Sequence, residues 1–262
     1  MPGSLDYDDM KLFLDENFLK YNSPAFIETD PIQIPHRFFR KEDIEIAGFL
    51  TASIAWGQRI SIIKSASRLM EFMQNNPFEF IVNADESDLK MFQYFTHRTF
   101  SGEDCIFFLK SLKNIYTNHG GMEKIFNRFY YKTGSIYGAL AGFREVFFEI
   151  PHSFHVLKHI SNVSSGSAAK RLNMFLRWMV RQDKRGIDFG IWQNIPESLL
   201  YIPLDVHTGN AARMLNLLNR KQNDWKAVEE LTMVLRKFDP VDPIKYDFAL
   251  FGLGLTKNII NN

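Results

Sequence analysis

Cysteine is nearly absent: Cys105 is the only one in 262 residues. A disulfide within the chain, an all-cysteine zinc site and a four-thiolate iron–sulfur cluster are therefore excluded, and any chemistry must come from other side chains. Charge of one sign is also lacking, since 31 Lys and Arg face 30 Asp and Glu for a formal net charge of +1. Long apolar runs are missing too. Those present are broken by Arg, Lys or Asp well short of the roughly 18 residues a membrane helix needs, and the amino terminus lacks a basic segment followed by an apolar stretch. The expectation is a soluble intracellular protein. There is no repeat, low-complexity tract or long linker, and strict alternation of apolar and polar residues is almost absent. What remains is a chain with 45% hydrophobic and 15% aromatic residues, long enough to bury a real core, which rules out intrinsic disorder and a disulfide-stapled miniprotein.

The balanced total hides an uneven distribution. Residues 1–45 carry ten acids and five bases, whereas residues 166–185 carry Lys170, Arg171, Arg177, Arg181, Lys184 and Arg185 against Asp183 alone. A focal basic patch on a neutral protein suits a local anionic ligand. Helical periodicity dominates most windows, so the fold class expected is all-α. Helices are predicted over 43–56, ending at Gly57, and over 60–74, which leaves Gln58 and Arg59 on the turn between them. Further helices are predicted around 104–116, 122–131, 135–148, 168–181, 206–219, 225–238 and 243–253. The 25 phenylalanines are explained first by a core packed with aromatics.

The stretch from Asn162 to Arg181 is the most informative. With Ala168 onward as helix, Leu172, Phe175, Leu176, Met179 and Val180 form a core-facing stripe, and Lys170, Asn173, Met174, Arg177 and Arg181 fall on the other side. Upstream, a Ser-Ser-Gly-Ser run supplies an N-cap, Ser167 or Ser165, and a glycine, Gly166, that lets the backbone bend sharply. A helix start with free N–H groups behind a bare glycine turn can hold a phosphate oxygen. Lys170 falls in or near the first turn, where the helix dipole and neighbouring Arg171 both disfavour an ammonium ion; a neutral lysine is a nucleophile. The plain alternative is a solvated basic helix face.

A second stretch runs from Ile202 to Leu218. Pro203 disfavours helix before it, Asp205 stands where an N-cap belongs, and Ala211, Ala212, Leu215 and Leu218 give the buried stripe of the following helix. A carboxylate that accepts N–H bonds at a helix start is held in a fixed direction, and it can stabilise a cationic transition state or take a proton. The alternative is a simple cap.

Together, a glycine turn with a first-turn lysine and a Pro-x-Asp-x-His segment opening another helix resemble the helix-hairpin-helix DNA glycosylase superfamily. The likeness extends upstream to residues 46–70, similar to the family's paired helices with a polar residue, here Gln58, at their junction. It extends downstream to residues 246–254, YDFALFGLG, similar to the closing helix of archaeal-type 8-oxoguanine glycosylases. The long spacing from Lys170 to Asp205 also fits that type, whereas the lone hairpin glycine, Gly166, departs from members that have two or more. It covers roughly residues 43–255, with residues 1–42 as an N-terminal helical extension. The resemblance implies one glycosylase-like unit, 1–262, of two helical subdomains with a cleft between them.

What the resemblance implies chemically is base-excision repair without a metal or cofactor: a DNA glycosylase with AP lyase activity that removes an oxidised purine, 8-oxoguanine foremost. Its partner would be double-stranded DNA containing a damaged base, its location the cytoplasm near the nucleoid, its state monomeric. Lys170 would attack the sugar and Asp205 assist. Gln58, Met174, Asp247 and Phe251 would face the flipped base, and Arg59, Gly166, Ser167, Arg171 and Arg177 the DNA backbone. For Asp247, a salt bridge to a core base is an equal alternative, and for Phe251 ordinary packing. His152, His155 and His159 share helical spacing but have no acid close by in sequence, and they are read as surface or packing residues rather than a metal site. Two rivals remain: a DNA-binding module without turnover on the same scaffold, and a helical enzyme that uses the basic patch for a phosphorylated small molecule.

Overall fold

A computed structural model describes residues 6–260, with side chains as far as Gly254. The described residues contain thirteen α-helices, short 3-10 turns and no strand. In chain order these are α1 (Tyr7–Tyr21), α2 (Ala25–Thr29), α3 (Lys41–Ser53), α4 (Arg59–Phe72), α5 (Pro77–Asn83), α6 (Glu86–Leu89), α7 (Gly102–Asn118), α8 (Met122–Thr133), α9 (Ile136–Phe147), α10 (Lys170–Val180), α11 (Val206–Met214), α12 (Trp225–Phe238) and α13 (Tyr246–Ile260). The all-α expectation holds. No helix among the described residues is long and apolar enough to cross a membrane.

Six of the thirteen α-helices start where a short polar side chain replaces the missing backbone partner of the first N–H groups. Ser101 opens α7 in a capping box with Asp104, Ser135 accepts from Gly138 N at α9, and Asp224 accepts from Ala227 N at α12. Several ends differ from expectation. The helix predicted to run to Trp56 stops at Ser53, and α4 begins at Arg59, so Gln58 is its N-cap and Arg59 lies in its first turn rather than between helices. The helix predicted to reach Asn219 stops at Met214, because Asn216 turns into the left-handed region (φ 57°) and Leu217 N bonds back to Ala212 O.

The chain divides into two units, one formed by residues 27–162 and the other by residues 1–26 together with 163–262. Within the stretch expected as an N-terminal extension, α1 groups with the C-terminal helices and residues 27–42 with the middle of the chain.

In the unit of residues 27–162, α3 is buried from Asp43 through Ser53. Phe49 meets Phe108 of α7 at 6.0 Å and Phe143 and Phe147 of α9 at 5.4 and 5.5 Å. Each such ring contributes roughly 2–3 kcal/mol relative to exposure. The acids on α3 are satisfied: Asp43 accepts from Phe78 N at 2.8 Å and Glu45 from the Tyr116 hydroxyl at 2.6 Å.

In the unit of residues 1–26 and 163–262, α13 packs against both α1 and α11. A Cβ at Gly252 would fall 2.3 Å from the Tyr21 ring, and one at Gly254 would fall 2.8 Å from the His207 carbonyl oxygen. The glycines of the segment Phe-Gly-Leu-Gly thus let two neighbours approach the backbone of α13. The same unit has an uncommonly ionic core. Arg177 of α10 and Arg181, its C-cap, are 4% and 2% exposed. Arg181 donates to Asp188 at 2.9 Å and to Asp242 at 3.0 Å. Arg177 donates to Asp188 at 3.2 Å and also to Asp247. The Arg177 guanidinium lies 4.5 Å from the centre of the Phe248 ring, so charges and an aromatic face share one dry layer.

Candidate functional site

The local sequence builds the site at two helix starts. Val163–Ser165 form a 3-10 turn, Gly166 takes φ +83°, and its carbonyl accepts from Trp225 N at 2.9 Å. Ser167 bridges to Asp224. Nothing lies within 4 Å of where a Cβ at Gly166 would stand, so the outer side of this turn is open. The N-cap of α10 is Ala169, in the left-handed region at φ +46°, with no side-chain cap. This corrects the expected Ser167 or Ser165 cap: the Ser167 hydroxyl accepts from Ala169 N at 3.2 Å, one residue before the helix. Lys170 is consequently the first residue of α10.

Asp205 is the N-cap of α11, and its Oδ1 accepts from Thr208 N at 2.9 Å. Asn223 donates to the Asp205 carbonyl at 3.0 Å. With Oδ1 committed, Oδ2 faces Lys170 Nζ at 3.8 Å, the two side chains being 30% and 20% exposed. Residues 35 positions apart in sequence are thus brought face to face, each at a helix start, each half-buried and reachable. A pair this exposed contributes about 1 kcal/mol or less to folding, so stability does not account for the arrangement.

Asp247 lies at the start of α13, 7% exposed and ion-paired to Arg177. Of the two roles open for it, the salt bridge is the one observed. Burial pushes its carboxyl up to about 6; the Arg177 guanidinium pulls the other way, Asp205 pushes further up, and Lys170 pulls down. Burial outweighs Arg177, a guanidinium also bonded to Asp188. Asp247 and the Lys170–Asp205 pair therefore belong to one electrostatic cluster.

The basic face expected on α10 needs correction. Arg177, expected on the DNA backbone, is buried among Asp188, Asp247 and Phe248, and Arg181 is buried likewise, so neither can reach a phosphate. Acids distant in sequence, Asp188, Asp242 and Asp247, fold over this polar helix face. Arg171 is half-buried, and desolvation lowers its guanidinium to about 10. Met174 and Phe251 are half-buried, the Phe251 ring lying edge-on to His207 at 6.5 Å between centres. Gln58 is exposed and Arg59 half-buried; both belong to the unit of residues 27–162, whereas the Lys170–Asp205 pair belongs to the other.

Two features escaped the sequence reading. Arg220, Lys221 and Lys226 line a depression of about 530 Å³ on the segment that Trp225 and Asp224 stitch to the glycine turn. Arg220 is held by Asp224 at 2.6 Å, which keeps that carboxyl low, at about 2. The signal was a cluster of cations between two helices, without the pairing that brings it to Gly166. The second is an acid beside the histidine cluster: Asp104 Oδ1 lies 3.0 Å from His155 Nδ1 and Asp104 Oδ2 lies 3.1 Å from His159 Nε2. His152 is exposed and bonds the Ile150 carbonyl instead. His159 is a buried partner of Asp104 and not a surface residue, and an acid 51 positions upstream of His155 was invisible to local spacing.

Residues 30–256 match the family described as protein of unknown function (DUF2400), and because the match takes in well over half of the chain, the protein belongs to that family. No curated protein and no solved structure matches it.

Proposed function

We propose that this DUF2400 protein is a DNA glycosylase with AP lyase activity, acting on a damaged base in duplex DNA, an oxidised purine and foremost 8-oxoguanine. The observation that carries the reading is the 3.8 Å approach of the Lys170 amine to Asp205 at two helix starts, beside a glycine turn with an open outer side. It is strengthened by the resemblance to helix-hairpin-helix glycosylases in those same residues.

The chemistry assigns each group a task. A base inside the stack is out of reach, so the nucleotide swings out at a cost of a few kcal/mol. Asp205 takes a proton from the Lys170 ammonium, and the free amine attacks the anomeric carbon of the deoxyribose. The bond to the base breaks with its electron pair passing to the base nitrogen, which takes the proton held by Asp205 as it leaves and restores the Asp205 carboxylate. While positive charge builds on the sugar, the Asp205 carboxylate stabilises it from a direction set by Thr208 N. Ring opening yields a Schiff base on Lys170, and loss of a proton from the neighbouring carbon expels the 3′ phosphate. The first-turn N–H groups of α10, behind the Gly166 turn, and the cations Lys221 and Lys226 hold the phosphodiester backbone. Asp247, buried and paired with Arg177, sets the field behind the pair rather than reading the base edge. Met174 and Phe251, half-buried beside these groups, are the proposed apolar walls for the base.

Borohydride reduction on duplexes with a single defined lesion tests this. A covalent protein–DNA adduct that is absent in Lys170→Ala supports the enzyme; binding to the same duplexes with no adduct from the wild type overturns it in favour of a module without turnover. Duplex affinity that does not change with salt sinks both, because several phosphate contacts impose a steep dependence.

A further inference from the structure

We propose that Asp104, His155 and His159 form a binding site for one divalent first-row transition-metal ion. Their ligand atoms lie within 4.8 Å of one another, and both carboxylate oxygens already face an imidazole nitrogen at 3.0 and 3.1 Å. Four-coordinate zinc with bonds of about 2.0–2.2 Å sets neighbouring ligand atoms roughly 3.3 Å apart, so an ion enters with small side-chain shifts. Two imidazoles and one carboxylate select zinc and its neighbours over magnesium or calcium, which demand oxygen all round.

The surroundings orient the ligands. Asp104 is the third residue of α7, and its Oδ2 accepts from Ser101 N and Oγ, both at 2.8 Å, in the capping box that starts the helix. Burial pushes its carboxyl up, but the bonds from Ser101 and His155 outweigh that and hold it below the ordinary carboxylate range. The group is thus already a carboxylate. The His159 ring is fixed between Trp56, stacked at 6.0 Å, and Phe100, edge-on at 4.9 Å. His155, with a side chain 54% exposed, leaves the site open to solvent and supplies a way in. Neighbouring Cys105 stays a thiol, because burial pushes it far above the ordinary thiol range, and the donor set is nitrogen and oxygen. All three ligands lie in the unit of residues 27–162.

One contact opposes the ion and sharpens the test. Lys158 Nζ lies 2.7 Å from His155 Nε2, the ring nitrogen turned away from Asp104. When a metal takes Nδ1, Nε2 carries a hydrogen and can no longer accept from the lysine, so the exposed Lys158 must swing away. It competes with the ion.

Full-length protein stripped with a chelator and titrated with Zn²⁺ by calorimetry should bind one equivalent saturably, and Co²⁺ should give visible absorption bands and quench tryptophan fluorescence through Trp56. His155→Ala, at an exposed position, should weaken Zn²⁺ at least about tenfold, more than loss of a residue that only orients a ligand. Lys158→Gln should tighten it roughly threefold, the size of an exposed charge effect. His119→Ala, which removes the partner of Glu149 elsewhere in the unit, should leave binding unchanged. Absence of saturable binding, wild-type affinity in His155→Ala, or loss of binding in His119→Ala overturns the proposal.

Discussion

At its first residue α10 presents Lys170 to solvent and to a partly exposed carboxylate, whereas seven residues later Arg177, and at the C-cap Arg181, are buried among Asp188, Asp242 and Asp247. The residues are of one chemical kind and lie on one helix, but their surroundings give them different work. In the dry layer, a guanidinium that spans two or three carboxylates and stacks on Phe248 holds elements together, and its removal leaves buried charge unpaired. At the helix start, water still reaches the pair, the energy at stake in folding is small, and an amine and a carboxylate remain available for proton transfer.

The sharpest way to break this contrast is at the exposed end. Lys170→Ala should reduce adduct formation on a lesion-containing duplex by on the order of 10³-fold or more, the scale associated with losing a catalytic group, while urea unfolding shows a stability change of about 1 kcal/mol or less. A loss of several kcal/mol in folding would place Lys170 with the buried arginines.

Next in size, Arg177→Met should cost about 3–5 kcal/mol in urea unfolding, because Asp188 and Asp247 lose a shared buried cation. Were Arg177 a phosphate ligand, the same substitution would leave stability alone and lower the salt dependence of duplex binding by about one charge.

The Asp247 carboxyl, pushed up to about 6 mainly by burial, makes stability depend on pH. Between its ordinary value of 3.8 and about 6, the folded chain holds the proton more tightly than the unfolded chain does. Stability therefore falls as pH rises through that window, by up to about 3 kcal/mol, and then levels off. Asp247→Asn should remove this slope from the difference between the two proteins' stability curves. An unchanged slope would mean that Arg177 holds the carboxylate charged throughout.

The smallest effect belongs to the hairpin. Gly166→Ala meets no atom within 4 Å, so only its left-handed backbone (φ +83°) is penalised, at about 1 kcal/mol. Duplex affinity should fall more than stability does if the turn holds a phosphate, and no more than stability does if the turn is merely structural.

Much of the helical framework was legible because its causes are local. Trp225–Phe238 forms as read from periodicity, with Asp224 capping it, and Asp205 stands at the helix start that Pro203 and the following stripe pointed to. Lys170 and Asp205 were singled out separately, each from its own helix start, and only the resemblance joined them. The early end of α11, the Ala169 cap, the fate of Arg177 and the Asp104–histidine cluster were not legible. Each depends on a partner distant in sequence or on a backbone turn that periodicity does not encode.

Composition and spacing alone settled that this chain builds a helical core with no intrachain disulfide, and placed a lysine and an aspartate at helix starts, because propensity, capping and amphipathic stripes act over a few residues. Only the tertiary structure decided which cations on α10 meet water, that the amine and the carboxylate face each other, and that an aspartate of α7 joins two histidines. Burial and charge pairing depend on what folds over a surface, and that is a property of the whole chain.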